Sequence, residues 1–189
     1  DFDAALSLVA ARAQAMDSVT ATGRMVALRA AEDAVRPLLE RRAESVSLAS
    51  INAPERVVLS GTPEGVADLL QELSSKLAAS GVQDLDVSQA FHSPLMDSVM
   101  DRLDSALAGL EHAAPALEWI SDLTGQETTQ DDLQSGYWSR HMRSTVRFAD
   151  GVASLQRLGY QAFVELGPRP GLLAAARLCW SQAPEETTW

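Results

Sequence analysis

Between Arg24 and Val87 the hydrophobic period changes repeatedly, and the order of those changes restricts the fold more than any other feature of the chain. Arg24–Ala30 partly alternates apolar and polar residues, as a half-buried strand does. Ala31–Ala43, rich in Ala, Leu, Glu and Arg, predicts a helix that Pro37 should kink or shift. Val46–Ile51 and Arg56–Ser60 read as strands joined by the turn Asn52-Ala53-Pro54-Glu55. Thr62-Pro63-Glu64 supplies an N-cap, a first-turn proline and an early acid. The helix it opens carries Val66, Leu69, Leu70, Leu73 and Leu77 on one stripe, with Gly81 as its stop. Val82–Val87 completes a β-α-β-β-α-β order, which is the ferredoxin-like, split βαβ arrangement.

The flanks follow another pattern. Residues 2–16 read as a helix with Phe2, Leu6, Val9 and Ala13 at helical spacing. Nothing before Phe2 offers an obvious cap, so this first helix reads as cut. After residue 88, Ser93-Pro94 opens a helix with Met96, Val99, Leu103, Leu107 and Leu110 inward. Leu117–Ser121 predicts a short strand, Val146–Leu158 a helix stopped by Gly159, Gln161–Leu166 a buried strand, and 172–180 a final helix. Strand, helix, strand and helix at this spacing predict a parallel α/β sheet. The tail 181–189 is polar and acidic and reads as a frayed end or linker.

Composition narrows the function. Fifteen Lys and Arg against 26 Asp and Glu give a net charge of −11, which disfavours a phosphate backbone as partner. No uncharged apolar run approaches the roughly 18 residues of a membrane helix. The N-terminal run DFDAALSLVA opens with acids, unlike a signal peptide, and a cytoplasmic setting is expected. The single cysteine, Cys179, excludes an internal disulfide and a thiolate cluster, and its surroundings predict a buried helix residue.

Three histidines carry what chemistry the composition allows: His92, His112 and His141. His92 stands between a strand-like segment and a proline-started helix, where α/β folds place reactive groups, and can act as a general base. A hydrogen-bonded loop histidine is the plain alternative. His112 reads as solvated surface, and His141 as a ring packed on Tyr137 or Trp138. No metal-ligand spacing, phosphate loop or GxSxG elbow occurs.

Four runs in fixed order go further: VAARAQAM (9–16), QAFHSPLM (89–96), YWSRHMRSTVRFADGV (137–152) and VELGPRPGLL (164–173). Together they resemble the acyltransferase domain of modular type I polyketide synthases, related to malonyl-CoA:acyl carrier protein transacylases. The resemblance implies an α/β-hydrolase-like large subdomain, here 1–23 and 88–180, with a ferredoxin-like small subdomain, 24–87, inserted in it. It implies ping-pong transfer of a malonyl-type unit from coenzyme A to the phosphopantetheine of an acyl carrier protein through an acyl-serine. No other cofactor is implied.

In the family's terms His92 matches the catalytic base. Arg12 matches the arginine that holds the malonyl carboxylate, a task suited to a guanidinium fork. His141 falls where a backbone carbonyl helps orient the base. Gln89-Ala90-Phe91-His92 lies where malonyl-selective members resemble HAFH and methylmalonyl-selective ones YASH. Phe91 therefore implies a malonyl preference, while Gln89 departs from the pattern. The GHSxG serine should precede Asp1, so the chain is expected to be the C-terminal two-thirds of the domain and inactive alone. Two other readings stay open. One is a non-catalytic docking module for a carrier protein or neighbouring domains, with Arg140, Arg143 and Arg147 as a basic patch. The other is an independent ferredoxin-like ligand-binding domain with a helical extension.

Overall fold

The computed structural model describes the chain apart from residues 75–80, 134–135, 168–170, 181–186 and 189. In chain order it contains α1 (Phe2–Asp17), β1 (Arg24–Leu28), α2 (Glu32–Leu39), β2 (Val46–Ala53), β3 (Arg56–Gly61), α3 (Pro63–Leu73) and β4 (Val82–Asp84). Then follow α4 (Asp97–Ala106), α5 (Tyr137–Arg143), α6 (Phe148–Arg157) and α7 (Leu172–Cys179), with 3-10 turns at Glu40–Arg42, Pro94–Met96 and Asp131–Leu133. The fold is of the α/β class. Among the described residues no helix is long and apolar enough to cross a membrane.

The four strands form one antiparallel sheet in the order β2-β3-β1-β4, the spatial order of a split βαβ unit. Alternation divides its side chains between two faces. Val26, Leu28, Val57 and Leu59 turn toward α2 and α3 and meet Val35, Leu38, Val66, Leu69 and Leu73 in one buried core. Met25, Ala49 and Val58 turn the other way, toward Ala90, with Ala27, Phe91 and Leu95 packed alongside. The caps follow the local chemistry. Thr62 Oγ1 accepts from the Gly65 N–H at 3.1 Å, with Pro63 in the first turn. Pro37 lies inside α2, which tightens after Leu39 into the 3-10 turn. Leu77 and the interval before Gly81 lie outside the described residues, as does most of the tail.

A second cluster joins α1, α4 and α5: Ala15, Val19, Met96, Val99, Leu103 and Met142 are buried together. The expected start of α4 is correct, since Ser93 accepts from the Leu95 N–H and Met96, Val99 and Leu103 face inward. The expected helix α1 forms, but its inward stripe is not the expected one. Asp1 caps the helix by accepting from the Ala4 N–H at 2.8 Å. Phe2, Leu6 and Val9 are exposed, and Ala11, Ala15 and Met16 make the packed face instead.

The expected parallel sheet is also absent among the described residues. Ile120 forms one antiparallel bridge to Glu127, and Ala162 one parallel bridge to Thr188. Val164 and Leu166, read as a buried strand, are 82% and 93% exposed, and Leu117 is 83% exposed. A short apolar segment becomes a strand only where a neighbour takes up its N–H and C=O groups along its length, and among the described residues each of these has a partner at one bridge alone. α6 begins at Phe148 rather than Val146 because Val146 pairs with β2: its N–H donates to Ala49 O at 2.8 Å and its carbonyl accepts from Ile51 N at 2.9 Å. β4 stops at Asp84, although Leu85 N still donates to Met25 O. Cys179 ends α7 half-buried, its thiol on Asn52 O.

Gly61 ends β3 against the chain entering β2. A Cβ there would lie 2.0 Å from Ser45 O, a backbone atom that also accepts the Thr62 N–H. Gly61→Ala should therefore destabilise the fold by about 3 kcal/mol, the upper end of overpacking costs. Gly109→Ala, with open space around its Cβ, should stay within about 0.5 kcal/mol of the unaltered chain. Urea unfolding of both variants checks the pair.

Candidate active site

His92 sits where the open face of the sheet meets α1, α4 and α5. Its φ is +57°, the only positive φ at a non-glycine among the described residues. Histidine tolerates this left-handed region better than most side chains, yet the surroundings must still hold it there. Two carbonyls at the C-terminal end of α5 do so. Met142 O accepts the His92 N–H at 3.2 Å, and Ser144 O accepts the Nδ1 hydrogen at 2.8 Å. A proton fixed on Nδ1 leaves the Nε2 lone pair free to act as a base. The neighbouring Ser93 is fully buried; its hydroxyl donates to Ala90 O at 2.6 Å and closes the turn.

The segment carrying Ser144 is gripped by β2. Arg143 Nη1 donates to Ser47 Oγ, Thr145 Oγ1 donates to Leu48 O at 2.7 Å, and Val146 pairs as described above. The His92 imidazole is thus oriented from the sheet as well as from the helices.

Arg12 projects from α1, whose residues Ala11, Ala15 and Met16 pack in the cluster that takes in Phe91, Met96, Trp138 and Met142. That packing brings Arg12 to the neighbourhood of His92 and His141. Arg12 is half-buried, and burial lowers its pKa. It makes no ion pair among the described residues, whereas Arg24, Arg36, Arg41, Arg42, Arg143 and Arg147 all do. Its positive charge acts on both imidazoles. Burial, with smaller contributions from His141 and Arg12, holds the His92 pKa down to about 4, against the raising effect of the Ser144 carbonyl. His141 is lowered by burial first and Arg12 second. The ring centroids of His92 and His141 are 6.1 Å apart, edge to face.

The other expected positions divide. His141 packs near Tyr137 and Trp138, with its Nδ1 buried and unpartnered. The carbonyl that chiefly orients the base is that of Ser144, three residues on, with the His141 carbonyl a lesser partner. Phe91 is half-buried and touches both apolar clusters flanking the site. Gln89 Nε2 donates to Val19 O at 2.9 Å, tying the two chain segments that meet under the site. His112, expected on the surface, is half-buried and accepts the Trp138 indole N–H at 2.8 Å. The expected basic patch is largely neutralised: Arg143 pairs with Asp97, and Arg147 with Glu32 and Asp150. Ser144 and Met142 escaped the sequence reading because they act through backbone carbonyls, which every residue has.

A family model described as an acyl transferase domain matches residues 1–187. Mycoketide-CoA synthase of Mycobacterium tuberculosis is 43% identical over 170 residues, which cover 89% of this chain and 4% of that protein. Polyketide synthase GfsA of Streptomyces halstedii is 42% identical over 181 residues, covering 94% of this chain and 2% of that protein. The acyltransferase domain from the second module of the salinomycin polyketide synthase has a TM-score of 0.90 at 39% identity, covering 98% of this chain and 42% of that one. The malonyl CoA-acyl carrier protein transacylase of Clostridium perfringens shares the fold, with a TM-score of 0.86 at 21% identity over 100% of this chain and 59% of that one. The chain thus spans a few per cent of the synthases and about two-fifths of the solved salinomycin domain. The match runs through the His92 turn, the Arg12 helix and the loop that orients the base, and the chain belongs to the acyl transferase domain family of modular polyketide synthases.

Proposed function

We propose that this chain supplies the general base and the carboxylate clamp of an acyltransferase that moves a malonyl-type unit from coenzyme A to the phosphopantetheine thiol of an acyl carrier protein. The observation that carries the reading is a neutral imidazole with Nδ1 tied to Ser144 O, beside a half-buried guanidinium without a carboxylate partner among the described residues. Residues 24–87 would be the small subdomain, inserted between 1–23 and 88–180 of the large one. The nucleophile is a serine outside the 189 residues, whose Oγ forms the ester bond as the thioester C–S bond breaks. His92 Nε2 takes the serine proton and passes it to the departing sulfur. The second half-reaction runs the same steps in reverse, with the carrier thiol giving its proton to His92. Nothing beyond coenzyme A and the carrier's own phosphopantetheine is needed as cofactor. A docking-only module is less well supported, since Arg143 and Arg147 are already paired within the chain.

Arg12 is the clamp because a buried cation without a counter-ion favours an anionic guest. Phe91, one residue before the base, would stand where a methyl on the malonyl C2 needs room.

Three outcomes follow from these roles. In the complete domain, Arg12→Ala should cut malonyl loading by about a hundredfold, as expected for lost charged hydrogen bonds. Acetyl loading should change by only a few-fold, and parallel labelling with both thioesters checks this. Phe91→Ser should raise the methylmalonyl share in a two-substrate competition by an amount equivalent to about 1–3 kcal/mol, with malonyl loading largely kept. The third concerns protonation. The folded pKa of His92, about 4, lies below the 6.5 of a free imidazole, so the folded chain binds this proton less readily than the unfolded one. His92 is then neutral at pH 7, and folding is penalised progressively as pH falls from 6.5 toward 4. NMR titration of its Cε1–H should report that low value, and Arg12→Met should raise it. A value near 6.5 in the unaltered chain would count against the buried, neutral base.

A further inference from the structure

We propose that the open face of the sheet carries a phosphate-binding site, formed by Arg29 and Arg56, for the phosphopantetheine arm that brings or receives the acyl group. The inference rests on the acyl-transfer reading above.

The β1–β3 register runs from Arg24 opposite Gly61 to Leu28 opposite Val57. One step further, the same register sets Arg29 opposite Arg56. Alternation puts both on the face that carries Met25, Ala27 and Val58, away from α2 and α3. Like charges directly across a strand pair repel and are destabilising unless something anionic lies between them. Among the described residues no carboxylate pairs with either of them, in a chain of net charge −11 where carboxylates are plentiful. The Arg56 guanidinium donates to the Glu55 carbonyl at 3.3 Å and, among the described residues, to no carboxylate.

Both arginines line a cavity of about 380 Å³ between the sheet and α7. Ala27 and Val58 give it apolar lining, Asn52 and Gln83 also line it, and no carboxylate does so among the described residues. Gly81, on the other side of Arg29, keeps the space clear: its carbonyl accepts the Arg29 N–H at 2.7 Å, and a Cβ there would meet the Arg29 Cβ at 3.1 Å. Two guanidinium forks beside an apolar lining fit a phosphate attached to a branched aliphatic chain, which is the phosphate end of phosphopantetheine. That lining is continuous with the site. Ala27 and Val58 also belong to the cluster that packs Phe91, the residue before His92. A phosphate held at the arginines would leave the arm lying along the sheet face toward the base.

The test is binding to the chain, followed by calorimetry, of 4′-phosphopantetheine against pantetheine. Phosphopantetheine should bind at least tenfold more tightly, and Arg29→Gln/Arg56→Gln should abolish the difference. Coenzyme A and a holo carrier protein, titrated in parallel, separate the two sources of the phosphate: whichever loses affinity in the double variant is delivered here. Equal binding of phosphopantetheine and pantetheine, a phosphate advantage that survives the double substitution, or no binding of either would overturn the proposal. Should the double variant fail to fold, phosphate-induced shifts of the Arg29 and Arg56 Nε–H signals in the unaltered chain give the same answer. The measurement involves no acyl transfer. Loss of the malonyl-against-acetyl contrast at Arg12 would overturn the enzymatic reading while leaving this result standing.

Discussion

Two backbone carbonyls, those of Met142 and Ser144, set the conformation on which the site depends. They hold His92 in a left-handed backbone and fix the hydrogen of its imidazole on Nδ1. Without them a histidine at that turn would relax to an ordinary φ and carry its ring elsewhere. The carbonyls are available because α5 ends at Arg143, leaving the last-turn oxygens without helical partners. A helix terminus, normally a liability, here becomes the clamp for a base. Burial against α1 and α4 does the rest, keeping the ring neutral.

The electrostatics of the region are asymmetric. Several other arginines are matched with carboxylates, as in Arg24 with Asp84 and Arg41 and Arg42 with Glu72. Such exposed pairs contribute little to stability. At Arg12 the arrangement differs, since the positive charge faces two imidazoles and pairs with no acid among the described residues. This raises the local potential around the two rings and lowers their affinity for a proton.

How much of this could be read from the residues depends on whether the relevant force is local. The split βαβ unit was legible because alternation, Thr62-Pro63 and the turn before Glu55 are local signals that all agree. Ser93-Pro94 marked the start of α4 for the same reason. The segments at 117–121 and 161–166 have the composition of strands but pair at one bridge each among the described residues, and pairing is not local. The α1 stripe misled because Phe2, Leu6 and Val9 keep helical spacing whether or not anything covers them. Of the site, His92, Arg12, Phe91 and His141 were readable as residue types in motifs. Ser144 was not, since its part is played by a peptide oxygen. Gln89 was read for its place beside the base, whereas its amide reaches Val19 seventy residues away.

The grip of β2 on residues 143–146 has a consequence for how such domains can be recombined. Ser47, Leu48, Ala49 and Ile51 each hold one of those residues, and the same short loop presents the carbonyl that aims His92. Sheet and base therefore behave as parts of one lever, although nearly a hundred residues of chain separate them. A chimera that exchanges the sheet between relatives at the obvious seams would leave the loop behind. It would join one parent's β2 to the other's Ser144 and rotate the imidazole by whatever misfit the new pairing carries. Loop and sheet form a single inheritable unit, discontinuous in sequence, and a functional exchange must move them together.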